Sequence, residues 1–384
     1  MSVDFRQRFR SVAAKVEATP GTDATPTPAA NAVRFENPTM PRNLETIGNE
    51  EVTYGIDRRP DDPGGGYMQF TGATLMKGAG TAGTAPEAGV LYRGAGFAET
   101  LLAADITGSA QGGTSSTIQL ASGDAANVAV GMVVRHGPSG ETRAITAVDS
   151  GTDTLTVYPD WTTAPSASDA YTVFACALYT PVDTGLEALS IYQWEHNKRA
   201  SADALLTKLI GSMAGLEMEV PVRQPGRVNW TFRGKFAKPA DVSDPGPSAY
   251  DSVVAAPFMG AGVYLGGNEI KLNSFSLSSG VEVQQPDDPA DPFGYDVADI
   301  NDRRFSGSIN PPRALTSTRD VVQDFLDAKE SRFWMHWGPS AGRRTSILIP
   351  QLRSMVPEEQ QQNGYVHENI PFQVDEGRVY ICIY

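Results

Sequence analysis

The sequence predicts a mainly β protein: β-sandwich or barrel units with short flanking helices, plus a small inserted β-barrel or sandwich. Three observations predict it. Short runs of β-branched and aromatic residues recur along the chain, several with strict apolar/polar alternation, as in Arg227–Phe236. Turn residues are frequent, with 38 Gly and 27 Pro spread between those runs. Only one segment, Thr318–Lys329, carries a clear helical stripe.

The bulk numbers fit a globular chain. At 384 residues, 40% hydrophobic and 20% charged, it is long enough for two or three domains with buried cores. No apolar run approaches the length of a membrane helix, so no membrane role is expected. The start, with Arg6, Arg8 and Arg10, lacks the apolar stretch of a secretory signal. Cys176 and Cys382 are the only cysteines, too few for a disulfide framework and without metal-ligand spacing. The net charge of −14 argues against a surface that grips nucleic acid, though not against one past which nucleic acid must slide.

In chain order, the first forty residues read as a loose arm, with Pro20, Gly21, Pro26 and Pro28 among Thr and Ala. Tyr67–Met76 reads as a strand after the turn-rich Asp61–Gly66, and Pro86–Gly94 as a short helix with Pro in its first turn. Residues 107–174 differ from their surroundings: no lysine, six acids against two bases, and about five short strands. These are Thr117–Leu120, Gly131–His136, Thr142–Val148, Thr154–Tyr158 and Ala170–Phe174, read as an insertion between 1–106 and 175–384. Beyond it, Arg227–Phe236 should bury Val228, Trp230 and Phe232, followed by strands at Glu269–Val283 and Ser306–Asn310. Ser317 and Asp320 resemble a capping box, and the stripe Val321, Val322, Phe325, Leu326 should pack on a sheet. Ser346–Leu352, Ile370–Val374 and Arg378–Tyr384 read as strands, with the terminus docked. The order of elements repeats weakly, so a second unit is expected from near residue 250.

Chemical motifs fail on context. Gly78–Gly83 matches G-x-G-x-x-G, but the following helix starts too late to present its N–H groups to a phosphate, leaving a flexible loop. Gly338–Gly342 matches G-x-S-x-G around Ser340, but β-type sequence follows where a nucleophile elbow needs a helix. His136, His196, His336 and His367 are scattered, and His336 reads as a half-buried strand residue. Asp287, Asp288, Asp291, Asp296, Asp299 and Asp302 are interrupted by prolines and read as a solvated loop. No catalytic residue, metal site or cofactor is expected.

The order of segments resembles the major tail (tail tube) proteins of long-tailed, non-contractile bacteriophages. Ala14–Asp23 resembles their opening, Leu91–Glu99 their short helix ending in Gly-Phe, and Tyr179–Val182 with Leu189–Trp194 the next strand. Leu209–Gly215, Trp230–Gly234 and Ile300–Ile309 continue the match, which omits only about 107–174. The chain departs from the pattern at Trp194–Lys198, where the usual Asp-Gly turn is missing. The resemblance implies a structural virion protein, assembled in the host cytoplasm, whose rings stack into a tube with DNA passing through without specific binding. It implies a homo-oligomeric ring, a trimer with pseudo-sixfold symmetry favoured over a hexamer. It also implies tape measure, tail terminator and distal tail proteins as partners, and an inserted domain on the exterior. Lumen-facing residues are not assigned.

The loop Tyr54–Gly66 carries alternating charges, Asp57, Arg58, Arg59, Asp61 and Asp62. It is either a solvated loop or an inter-ring stacking arm. The Thr/Pro stretch 19–30 would similarly order on assembly. A second reading is a phage or surface decoration module or adhesin binding carbohydrate, with Tyr158, Trp161 and Tyr171 as aromatic candidates. A third is a hydrolase using Ser340 or a pair of acids.

Overall fold

A computed structural model describes residues 5–52, 54–197, 203–362 and 364–384. The chain opens with β1 (Phe5–Val16), a short helix α1 (Pro28–Asn31), β2 (Glu36–Thr39), β3 (Arg42–Ile47) and the long β4 (Asp62–Leu75). Helix α2 (Gly89–Gly94) leads into β5 (Phe97–Leu102). Seven short strands follow: β6 (Ile106–Ser109), β7 (Gly112–Gly113), β8 (Thr117–Gln119), β9 (Val133–His136), β10 (Thr142–Asp149), β11 (Thr154–Tyr158) and β12 (Ala170–Val173). Next come β13 (Cys176–Pro181), β14 (Leu189–Asn197), β15 (Asp203–Pro221), β16 (Arg227–Phe236) and β17 (Ala240–Ser243). The last third holds β18 (Gly262–Leu265), β19 (Asn268–Glu269), β20 (Ser274–Ser278), β21 (Glu282–Gln284), β22 (Asp299–Asp302) and β23 (Ser306–Ile309). It ends with α3 (Val321–Leu326), β24 (Glu330–Trp337), β25 (Thr345–Ser354), β26 (Glu358–Gln362), β27 (Tyr365–Val374) and β28 (Tyr380–Ile383).

One antiparallel sheet dominates and folds over itself. Hydrogen-bonded neighbours run β4–β16–β15–β20–β23–β27 and continue through β25, β28 and β13 to β5. The two halves of this path enclose one core containing Phe70, Trp230, Phe232, Phe275, Phe333 and Phe372. Alternation places these side chains inward, and Val228, Trp230 and Phe232 are buried as the sequence predicts. The 19-residue β15 changes neighbours along its length: its first part pairs with β14 and its last with β20. The bend falls at a register shift between Ile210 and Met213, where Gly211 has φ +60°, a conformation glycine tolerates best.

The strands from β6 to β12 form a separate seven-stranded sheet in the order β6-β12-β9-β10-β11-β8-β7. Two more strands are present than the sequence suggested: β6, whose Thr-Gly-Ser carries little apolar alternation, and the two-residue β7. The core of this sheet, with Ile118, Val133, Leu155 and Trp161, is continuous with Leu178, Cys382 and Tyr384 of the main sheet. Tyr158 joins the two sheets, its hydroxyl donating to the Arg332 carbonyl at 2.8 Å and accepting from Gly267 N at 2.8 Å.

Several expectations are corrected. The start is not a loose arm. β1 pairs with β14 over Arg10–Val16 and buries Val12, Ala13 and Ala14, whose small side chains hid the strand. The stretch 19–30 is tied to the same chain through Glu17 and Asp23. The charged loop ends earlier than expected, because Asp62–Gly66 already belongs to β4 and pairs with β3. Helix α3 covers only six residues and is capped by Asp320, which accepts from Gln323 N, rather than by Ser317. Its stripe is not packed on a sheet as a whole. Val321 is buried, but Val322 and Leu326 are 54% and 67% exposed, since a helix under two turns turns only one edge inward. The stretch Glu269–Val283 is three short strands rather than one. The turn after Trp194–Asn197 lies outside the described residues.

Candidate assembly and channel surfaces

The connection between β3 and β4 spans 48–61 and holds Asp57, Arg58, Arg59 and Asp61, while Asp62 lies in β4 opposite Ile47. Two of its charges are paired within the arm: Arg58 with Glu50 at 3.3 Å and Arg59 with Glu51 at 3.0 Å. Such exposed pairs contribute at most about 1 kcal/mol. The arm also exposes apolar residues. Val52, Tyr54 and Ile56 are essentially fully exposed, and Leu44 and Ile47 on β3 are 55% and 61% exposed. Attention to charge missed them, although their period-two spacing was a readable signal.

A second surface is the solvent side of the strands β4, β16, β15, β20, β23 and β27. Alternation turns Gln69, Thr71, Asn229, Thr231, Glu217, Glu219, Ser276, Ser278, Ser306, Ser308 and Gln373 to this side. Ser276 and Ser308 hydroxyls meet across β20 and β23 at 2.9 Å. A hollow of about 450 Å³ lies over β15, β20, β23 and β27. The cations of this side are engaged: Arg227 pairs with Glu36 at 2.8 Å, Lys235 with Asp291 at 3.0 Å, Arg233 donates to Gln285 and stacks on Tyr67, and the exposed Arg304 just before β23 donates to Gln373 at 2.8 Å. Glu217 and Glu219 stay exposed. Hydroxyls, amides and carboxylates thus dominate this side, and its cations are each tied to an amide oxygen or a carboxylate.

The motif Ala14–Asp23 acquires a physical reason. The buried Glu17 carboxylate accepts from Gly21 N at 2.6 Å, Ser190 Oγ at 2.7 Å and Gly211 N at 2.7 Å, locking the start of the chain onto the β15 bend. Asp23 takes hydrogen bonds from Tyr192 and from Lys208 at 3.0 Å. Burial opposes the Asp23 charge, but the bonds from Tyr192, Thr25 N and Lys208 outweigh it and hold its carboxyl below the usual range.

The remaining candidates have structural roles. Tyr158, Trp161 and Tyr171 are 6%, 3% and 2% exposed, so they offer no ring face for a sugar. Burial pushes the Tyr158 hydroxyl up to about 12. Ser340 sits in the turn between β24 and β25, with a strand rather than a helix after it. The two glycine motifs pack against each other: Gly80 N donates to Gly342 O at 3.0 Å, and a Cβ on Gly78 would lie 1.9 Å from that oxygen. Their glycines serve close backbone approach. His136 bonds Ser139 at 2.8 Å and Asp169 at 3.1 Å; His196 links Ser11 at 2.8 Å to Asp244 at 3.0 Å. Ser11 is only 5% exposed on β1, so this trio latches β1 to the rest of the sheet. His336 stacks on Trp334, and His367 touches the Asn273 amide. Among the described residues no three metal-ligating side chains converge. In the loop 287–302, Asp291 and Asp296 engage Lys235, while Phe293 O accepts from Gly66 N.

A folded-over antiparallel sheet with a wide polar face and a projecting apolar arm defines a structural subunit made to join others. A family model described as phage tail tube protein matches residues 10–374. The chain belongs to the phage tail tube protein family, as the order of its segments implied. No curated protein matches it. Membership makes it a structural component of a phage tail that self-assembles into a tube with other tail proteins.

Proposed function

We propose that the chain forms rings that stack into the tail tube, and that the polar side of β4, β16, β15, β20, β23 and β27 lines the channel through which DNA leaves. The observation that carries this reading is the composition of that side: hydroxyls, amides and the carboxylates Glu217 and Glu219, unpaired among the described residues, with Arg227, Arg233, Lys235 and Arg304 each already engaged. Counterion release onto cationic side chains dominates nonspecific DNA affinity, so such a wall lets phosphates pass. The arm 48–61, through Val52, Tyr54 and Ile56 and flanked by Asp57, Arg58, Arg59, Asp61 and Asp62, reaches the adjacent ring. The sheet β6–β12 lies on the exterior. Assembly in the host cytoplasm proceeds with tape measure, tail terminator and distal tail proteins.

Three copies per ring are favoured. The polar side with its flanking hairpins draws β3, β4, β15 and β16 from residues 42–236 and β20, β23, β26 and β27 from residues 274–374. Four strands from each half of the chain fit two tube-like units per copy. Cysteine labelling tests the wall. Ser276→Cys should react with a small maleimide in subunits and tubes alike, and lose reaction with a polymer-bearing maleimide in intact tubes. Thr152→Cys, exposed on the second sheet, should react with both throughout. A Ser276→Cys tube that takes the bulky reagent along its whole length would place this surface outside.

A further inference from the structure

We propose that the opening of β1, Phe5–Phe9, packs on the outer face of α3 of the next copy in a ring; this rests on the ring-forming reading above. The argument begins with the two helices that the weak repeat sets in corresponding places, α2 before β5 and α3 before β24. No residue of α2 is exposed. Its outer side is bordered by residues 30–33 and by Ala249 and Asp251 of the stretch after β17, leaving a hollow of about 480 Å³. Ala249 N donates to Pro28 O at 3.0 Å and Asp251 N to the Glu87 carboxylate at 3.2 Å, which fixes that stretch in place. The same stretch opens the second half of the chain.

Helix α3 has no such cover. Val322 and Leu326, one turn apart, face solvent together, and Leu315 is exposed in the turn leading into the helix. Gln323 and Asp327 border a hollow of about 800 Å³, larger than the one beside α2. Three large apolar side chains gathered on one short segment form the kind of patch that marks a contact. In a row of repeated units, each opening segment lies over the helix of the unit before. Within one chain the second half does this for α2. The segment left to do it for α3 is the opening of another copy, a contact that closes when the copies form a ring.

The start of the chain fits that place. Phe5, Arg6, Gln7 and Arg8 are all exposed. From Phe5 to Arg10 β1 advances five residues while β14 advances two, so this end bulges from its ladder. It offers a phenyl ring and two arginines, with Arg6 stacked on Phe9. Charge selects α3 as its seat. Beside the helix Arg313, Arg319 and Lys329 are paired with Glu359, Glu368 and Asp324. Glu269, Asp320 and Asp327, against Lys271 alone, border the hollow without an ion pair among the described residues. The arm 48–61 is apolar too, but its arginines are already paired with Glu50 and Glu51.

The test uses the full chain, with rings followed by sedimentation and electron microscopy and backbone exposure by hydrogen exchange. Amides of 321–326 should exchange at least tenfold more slowly in rings than in subunits. Arg8→Cys combined with Gln323→Cys should join copies into ladders on a non-reducing gel after diamide treatment, at least tenfold above either single variant. Arg6→Glu with Arg8→Glu should cut ring formation at least tenfold at low salt without changing the melting temperature of the subunit. Rings of the arm variant Val52→Ser, Tyr54→Ser, Ile56→Ser should keep the slow exchange at α3. Three results overturn the docking and leave the tube reading standing: α3 exchanging in rings as fast as in subunits, ladders no stronger than in the single variants, or slow exchange lost in the arm variant. A chain that forms no rings with its tail partners present overturns both.

Discussion

Glu17 shows how one carboxylate can organise the start of this fold. It receives three hydrogen bonds from separate segments while buried, so Glu17→Ala strands two backbone N–H groups and a hydroxyl. The expected cost is about 2–4 kcal/mol of unfolding free energy, read by denaturant titration. His336 sets a pH limit. Burial first, then the nearby Arg344 and Arg143 charges, lowers its pKa from 6.5 to about 4. Between those values the unfolded chain binds a proton that the folded chain refuses, so folding stability falls as pH drops from 6.5 towards 4. The loss approaches about 3 kcal/mol, and His336→Asn should flatten that slope in melting curves. Sequence alone placed His336 correctly as a strand residue. The Glu17 node was visible only as part of a resemblance, because its partners Ser190 and Gly211 are distant in the chain.

At the scale of elements, legibility followed periodicity. Arg227–Phe236 announced β16 through Val228, Trp230 and Phe232, and Trp230 adds a 2.8 Å bond to Thr74 Oγ1. Trp230→Ala should therefore cost about 3–5 kcal/mol in thermal or denaturant unfolding. β1 escaped because Arg6, Arg8 and Arg10 mask its alternation and its buried residues are small. α3 was overestimated because a stripe on a helical wheel says nothing about how many turns form. In the arm, Arg58 and Arg59 pair locally, while Val52, Tyr54 and Ile56 are essentially fully exposed. Replacing all three by serine should shift subunit stability by less than about 0.5 kcal/mol, since exposed sites rarely matter more. The same variant should yield rings that stack poorly, counted as tube length by microscopy. Tubes of normal length would remove the arm from the stacking contact.

For the whole molecule, the β class and the family could be read from segment order, but the sheet path could not. The pairing of β15 with β20 joins residues far apart in sequence, and no local pattern encodes it. That pairing turns two sets of strands into one continuous surface, the one the proposed function turns towards DNA. Lumen-facing residues were unreadable for the same reason: alternation says which side chains share a face, not which face an assembly turns inward. The most direct measurement is a cryo-electron microscopy reconstruction of tubes grown from the full chain. The account predicts a hollow tube of stacked rings, three copies each with pseudo-sixfold symmetry, and Thr231, Ser276 and Ser308 on the channel wall. A reconstruction with that polar side packed against a neighbour or facing outward, or closed particles without a channel, would contradict it.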